Sequence, residues 1–250
     1  TAIEREELVL HFQPQIDLET SAIKGVEALL RWNRRDHGLV MPNAFITLAE
    51  ETGLIIPIGA WVIAEACRQV SDWPDLSVAV NVSPLQFRQG NLVQTVKQAL
   101  TDAAIEPQRL EIEITESVLL THTEEAVAMM QALQALGVKI AMDDFGTGYS
   151  SLSYLRRFPF DKIKIDKSFV ADLGQSRDAG AIVEAVIRLG SSMGIVSNAE
   201  GVETLEQANL LRHQGCDEVQ GFLFSRPLPS ASIAEILADN AWLQDNARAG

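Results

Sequence analysis

The feature that most constrains this chain is a regular alternation of short apolar runs with longer stretches of helical period, and no Pro/Gly/Ser-rich linker interrupts it. The runs lie near residues 8–13, 24–31, 78–82, 110–114, 139–142, 162–165, 196–199 and 219–220. Between the later runs the punctuation is that of helices: Pro42 opens one that Gly53 closes, Thr123 caps one that Gly137 ends, and Asp178 begins one that stops at Gly194. Repeated strand and helix alternation implies a parallel sheet, and eight strands imply closure into a TIM-type (β/α)8 barrel of the α/β class. With 250 residues, 47% of them hydrophobic, the chain can bury one large core. Residues 1–250 are therefore expected to form a single domain. Residues 1–7 read as the end of an upstream linker helix, and residues 240–250 as a C-terminal tail.

The first two strands break the alternation, because only a polar turn around Leu18, Glu19, Thr20 and Ser21 separates them. They should pair antiparallel. A turn centred near Thr20 sets Gln13 opposite Glu27, both pointing into the barrel. Period two then sends Glu27, Leu29 and Arg31 to one face and Val26, Ala28 and Leu30 to the other.

The same parity places Asn81, Glu113, Asp143, Lys164 and Glu200 at or just past C-terminal strand ends, pointing inward, where barrel enzymes build their sites. Any one of these could simply cap a helix or join a structural ion pair. Polar groups converging from five strands are different, since buried like charges are costly without a cation. Oxygen donors alone favour Mg²⁺ or Mn²⁺ over zinc. Asp143 and Asp144 precede Phe145-Gly146-Thr147-Gly148-Tyr149, and a bridging Asp can hold two metals for phosphoryl chemistry. Lys164 could orient a water or neutralise developing phosphate charge. A net charge of -14 argues against a nucleic-acid polymer as partner. Cys67 and Cys216 suggest neither a disulfide nor a zinc knuckle and fit a reducing cytoplasm, while His11, His37, His122 and His213 lack metal-motif spacing. No segment approaches the roughly 18 apolar residues of a membrane span, so no membrane contact is expected of this segment. The start at Thr1, followed by Glu4, Arg5, Glu6 and Glu7, is that expected of a piece of a longer polypeptide, whose full length could be anchored at the inner membrane.

The segment Glu27-Ala28-Leu29-Leu30-Arg31-Trp32 resembles the signature of the EAL-domain family, and the likeness runs nearly end to end. It continues through Gln13-Pro14, Asn81-Val82-Ser83, Glu113-Ile114-Thr115-Glu116-Ser117, Asp143 to Leu152, Lys164-Ile165-Asp166, Ala199-Glu200-Gly201-Val202-Glu203-Thr204 and Gln220-Gly221-Phe222. The resemblance implies hydrolysis of cyclic di-GMP to linear pGpG with two Mg²⁺ or Mn²⁺ ions, on a barrel whose first strand is antiparallel. Ca²⁺ should inhibit, because its looser coordination misplaces the nucleophile. By similarity, Glu27, Asn81, Glu113 and Asp143 bind one metal, and Asp143, Asp144 and Glu200 serve a second. Lys164 places the water or Glu200 acts as base. Arg31 contacts substrate phosphate, while Gln13, Glu203 and Gln220 line the substrate or support its ligands. A homodimer through the helices flanking the Asp143 to Leu152 loop and an upstream regulatory domain are also implied. A receptor or protein-interaction module that has lost turnover is the alternative, and the complete ligand set argues against it.

Three further positions carry expectations. Asn33-Arg34-Arg35-Asp36 replaces the family's frequent His-Pro pair and should form a solvated loop. Asn198 should point inward beneath Glu200 and bond a polar neighbour. Glu116, three residues past Glu113, should hold the glycine-bearing loop around Gly146, Thr147, Gly148 and Ser150 so that Asp144 stays aimed, unless it only caps the next helix.

Overall fold

A computed structural model describes residues 2–89, 91–120, 123–146 and 157–238. The strands are β1 (Leu8–Asp17), β2 (Ile23–Arg34), β3 (Gly38–Val40), β4 (Ser77–Asn81), β5 (Leu110–Thr115), β6 (Lys139–Phe145), β7 (Lys162–Ile165), β8 (Val196–Ala199), β9 (Glu218–Val219) and β10 (Leu228–Pro229). Pairing runs β1-β9-β8-β7-β6-β5-β4-β2, and β2 returns to β1, which closes an eight-stranded barrel. β1 is antiparallel to both neighbours, and the other six contacts are parallel.

The antiparallel start follows from a hairpin too short for a crossover. Asp17 Oδ1 accepts from the Thr20 backbone N–H at 2.7 Å and from its hydroxyl at 2.8 Å, and Ser21 takes a left-handed φ of 60°. That turn sets Gln13 against Glu27, the register anticipated above.

The helices end where their punctuation directs. Ser176 accepts from Ala179 N–H to cap the helix Arg177–Met193, which closes on left-handed Gly194. Thr204 and Gln207 form a reciprocal capping box on the helix Leu205–Gln214. Pro42 opens only a single 3-10 turn, Pro42–Ala44, before the helix Ile46–Glu51, and after Gly53 a longer helix runs Ile55–Val70. Two short strands went unanticipated. β3 folds back on β2 and β10 on β1, each through two or three residue pairs that exist only because a long strand offers an edge. Arg34 lies in β2 rather than a loop, with its guanidinium 5.0 Å above the Trp32 ring. Ala2 to Glu6 make consecutive turns, and residues 239–250, which include the whole expected tail, lie outside the described residues.

Parity divides the core in two. Outward positions such as Phe12, Val26, Val78, Val80, Ile112, Ile140 and Ile163 are fully buried against the helices. Inward positions are largely polar: Gln13, Gln15, Glu27, Glu111, Glu113, Lys162, Lys164 and Asn198 are all buried. Apolar cohesion therefore sits between barrel and helices, not along the barrel axis. Phe12 packs edge-on to Trp73 with centroids 5.1 Å apart. Phe12→Ala should lower unfolding free energy by about 3–5 kcal/mol in urea titrations. A loss below about 1 kcal/mol would contradict this placement of the core.

Candidate metal centre

Six strands deliver one side chain or more each to a single cluster at the mouth formed by the C-terminal ends of the parallel strands. Lys164 lies at its middle and is 1% exposed. Its Nζ is 2.7 Å from Glu200, 2.8 Å from Glu113, 3.3 Å from Asp143 and 3.6 Å from Glu27. Glu27 is fixed from two further directions: Asn81 Nδ2 donates to its Oε1 at 2.7 Å, and Gln220 Nε2 donates to its Oε2 at 2.5 Å. Gly221, beside Gln220, must be glycine, since a Cβ there would run into the Val202 backbone.

Strict alternation along β6 would send Asp144 away from Asp143. A bulge prevents this. Met142 pairs with Ile163 but the next pair is Phe145 with Ile165, so β6 spends one extra residue over that step. Asp144 absorbs the irregularity with φ 54°, a left-handed conformation that Asp tolerates better than most residues, and its N–H donates to Asp143 Oδ1 at 3.0 Å. Gly146 follows at φ 100°, where a Cβ would meet the Phe169 ring. As a result Asp143, Asp144 and Glu200 each offer an oxygen, all within 4.8 Å of one another.

The cluster holds more negative charge than one ammonium can balance. Burial works against charge on Lys164, yet Glu113, Glu200, Glu27 and Asp143 together hold it protonated well above the usual lysine range. Burial pushes Glu113 well up despite Lys164, with Glu27 and Asp143 adding to the rise. Glu200 is likewise raised by burial, to about 7, with Asp143 and Glu27 contributing and Lys164 opposing. Asp144 is raised by burial and by Asp143 and Asp166. Glu27 alone goes down: burial disfavours its charge, but Lys164 and the amides of Gln220 and Asn81 outweigh that. Glu113 Oε1 is buried with no hydrogen-bond partner. Surplus carboxylate charge, an orphaned buried oxygen and all-oxygen donors fit hard divalent cations such as Mg²⁺ or Mn²⁺.

The remaining anticipated residues divide. Gln13 and Gln220 are buried beside Glu27 and bonded to each other at 2.9 Å, so they brace it. Arg31 lies inward of β2, 5% exposed, and Nη1 donates to the Leu30 carbonyl at 2.8 Å; burial lowers its pKa while Glu27 raises it. Glu203 is exposed just before the helix Leu205–Gln214, outside the cluster's direct contacts. Glu116 is buried past the end of β5, but Thr147, Gly148 and Ser150, the partners anticipated for it, lie outside the described residues. Asn198 points inward as expected, yet neither amide atom has a hydrogen-bond partner.

Sequence reasoning missed a second polar layer. Lys162 Nζ lies 2.8 Å from Glu218 and 3.0 Å from Glu111, and it donates to Gln15 Oε1 at 3.3 Å. Period two from Gln13 and Lys164 already marks Gln15 and Lys162 as inward. This layer borders a cavity of about 630 Å³ at the opposite barrel mouth, lined by Lys24, Ser77, Lys139 and Glu218 among others. The carboxylate cluster does not line that cavity.

Glu200 makes the pH dependence checkable. In the metal-free protein it keeps its proton up to about 7 when folded, against 4.5 ordinarily. The folded state therefore binds more protons than the unfolded state between those values, so the contribution to stability is complete below 4.5, declines as pH rises towards 7 and is then spent. Thermal melts in chelator should show wild type losing stability relative to Glu200→Gln across that window. Parallel curves would contradict it.

The family model described as "EAL domain" matches residues 1–227. The chain is 45% identical over 242 residues to the bifunctional diguanylate cyclase/cyclic di-GMP phosphodiesterase MucR of Pseudomonas aeruginosa, covering 95% of this chain and 35% of that protein. It is 40% identical over 236 residues to the cyclic di-GMP phosphodiesterase PdeR of Escherichia coli, covering 93% of this chain and 36% of that protein. It thus spans about a third of the length of these curated relatives. The solved PaMucR phosphodiesterase in complex with c-di-GMP superposes with a TM-score of 0.89 at 45% identity, covering 93% of this chain and 96% of that one. With the barrel, the antiparallel first strand and the carboxylate cluster all in place, this chain belongs to the EAL-domain family.

Proposed function

We propose that this domain is a phosphodiesterase that hydrolyses one phosphodiester bond of cyclic di-GMP, giving linear pGpG, with two Mg²⁺ or Mn²⁺ ions. The observation that carries the reading is the convergence of Asp143, Asp144 and Glu200 within 4.8 Å beside the Glu27–Glu113–Lys164 group, in a chain so similar to a phosphodiesterase solved with c-di-GMP. Glu27, Asn81, Glu113 and Asp143 would hold one cation; Asp143, Asp144 and Glu200 would hold the second. Bound there, the cations would polarise the phosphoryl oxygens and acidify a water.

The chain's own groups supply the rest. Lys164, kept as an ammonium by its carboxylates, is suited to donate, orienting the attacking water or neutralising phosphate charge. Glu200, 2.7 Å from Lys164, is placed to accept the water's proton. Arg31 supplies a phosphate contact, with Gln13, Gln220 and Glu203 bracing the ligands or bordering the substrate. Glu116 restrains the loop that carries Asp144. We read residues 1–250 as one catalytic domain that acts in the cytoplasm, pairs with a second copy through helices flanking the 143–152 loop, and answers to a regulatory domain elsewhere in a longer protein. No helix among the described residues is long and apolar enough to cross a membrane.

Incubating the protein with cyclic di-GMP and Mg²⁺ or Mn²⁺ and identifying the products tests the central claim: pGpG is expected with either metal. Nucleotide binding without product would make the domain a receptor. Ca²⁺ should bind but support little turnover. Asp143→Asn should lower kcat/KM by about 1,000-fold or more, whereas Arg31→Ala should act mainly on KM. Normal turnover by Asp143→Asn would remove it from the shared position. Glu116→Ala should weaken Mg²⁺ binding by about 10-fold or more in folded protein. A helix cap would instead cost about 1 kcal/mol of stability and leave metal affinity unchanged.

A further inference from the structure

Gln220, which holds Glu27, is itself held from two sides by groups whose hydrogen-bonding sense cannot be reversed. On one side Gln13 Nε2 donates to the Ser225 carbonyl at 3.0 Å. A carbonyl can only accept, so Gln13 must turn its Oε1 towards Gln220, which donates to it at 2.9 Å. On the other side Lys162 Nζ donates to Gln15 Oε1 at 3.3 Å, and Gln15 Nε2 donates to Gln220 Oε1 at 3.3 Å. An ammonium can only donate, so Gln15 must face Lys162 with oxygen and Gln220 with nitrogen. Both constraints agree. Gln220 is left with its carbonyl towards Gln15 and its two N–H groups towards Gln13 and Glu27, the latter at 2.5 Å.

We propose that Gln15 and Lys162 are positioning residues for the metal centre: they fix the sense of the Gln220 amide so that Glu27 always meets a donor. All four side chains in the path, Lys162, Gln15, Gln220 and Glu27, are buried, so no bulk water competes to turn an amide over. Lys162 is anchored in turn by Glu111 and Glu218 at 3.0 and 2.8 Å. If the Gln220 amide reversed, its carbonyl would face the Glu27 carboxylate, two acceptors in contact, and Glu27 would swing from the position it shares with Lys164. The second polar layer, which the chemistry above does not touch, thereby acquires a role.

The inference rests on the phosphodiesterase reading for its consequence in catalysis, and its test separates the two. Gln15→Glu preserves shape, gains an ion pair with Lys162 and so stays ionised, but it cannot donate to Gln220. Gln15→Leu removes the donor without opposing it, and Gln13 with Ser225 still directs Gln220. Calorimetric Mg²⁺ titration should show Gln15→Glu weakened by about 10-fold or more, with Gln15→Leu affected less and Lys162→Arg like wild type. A packing role predicts the reverse order, because Leu is the greater change in polarity and shape. NMR of the metal-free protein should show the Gln220 side-chain amide protons displaced in Gln15→Glu and unmoved in Lys162→Arg. If Gln15→Glu does not fold, Gln13→Leu and the double variant Gln13→Leu/Lys162→Gln carry the test: Lys162 and Gln15 still direct Gln220 in the first, whereas no one-way group remains in the second, so its Gln220 signals should broaden or double. Unchanged Gln220 signals and Mg²⁺ affinity in the folded variant, or greater damage from Gln15→Leu, would overturn the proposal. Wild-type protein that neither binds Mg²⁺ nor cleaves cyclic di-GMP would instead overturn the functional reading, and the amide signals would still decide the positioning role.

Discussion

The structure turns on one buried ammonium among too many carboxylates. Lys164 reaches Glu27, Glu113, Asp143 and Glu200 from the centre of the barrel mouth. Such a group is poor at stabilising a fold, since desolvating the charges costs about as much as their attraction returns. It is better understood as a site short of positive charge. The orphaned Glu113 oxygen and the raised Glu113, Glu200 and Asp144 carboxyls are the signs of that shortfall.

A barrel with such an axis needs its cohesion elsewhere, and the outward faces of the strands provide it. Phe12, Val26, Val78, Ile112, Ile140 and Ile163 are completely buried against helices. Each buried aliphatic or aromatic side chain of this kind contributes about 1.5–3 kcal/mol. That separation lets inward positions serve chemistry. One parity of each strand faces the helices, the other faces the axis, and strand register sets the depth at which each functional group sits.

Much of this was legible in the sequence because it depends only on period two and on short-range turns. Residues 162–165 and 196–199 were bounded correctly, and the Gln13 to Glu27 pairing followed from the length of one hairpin. β3 and β10 were not legible, since neither has a strand pattern of its own and each forms only against an existing edge. The convergence of Asp144 with Asp143 was beyond parity too. Alternation predicts divergence, and nothing in Met142-Asp143-Asp144-Phe145 announces a bulge until β7 fixes the register on its other side. Asn198 could be placed inward but its surroundings could not, because they depend on seven other strands. The Lys162 layer is within reach of the same parity rule, which turns Glu111 inward, but its role is not legible because the partners of Lys162 come from three other strands.

The bulge and the amide relay solve related problems by different means. Asp144 must point where a regular strand would not send it, so the backbone itself is bent, at a left-handed φ and with glycine soon after to complete the turn. Glu27 already points the right way, and what it needs is a partner of the correct sense. A glutamine alone cannot guarantee that, because its two ends are nearly the same size and it can present either. Tying both neighbouring glutamines to one-way groups, the Lys162 ammonium and the Ser225 carbonyl, turns a reversible amide into a directed donor. Backbone strain fixes where a carboxylate points, and hydrogen-bond polarity fixes what it meets there. A cluster whose carboxylates repel one another requires both, since any carboxylate free to turn would relieve that repulsion.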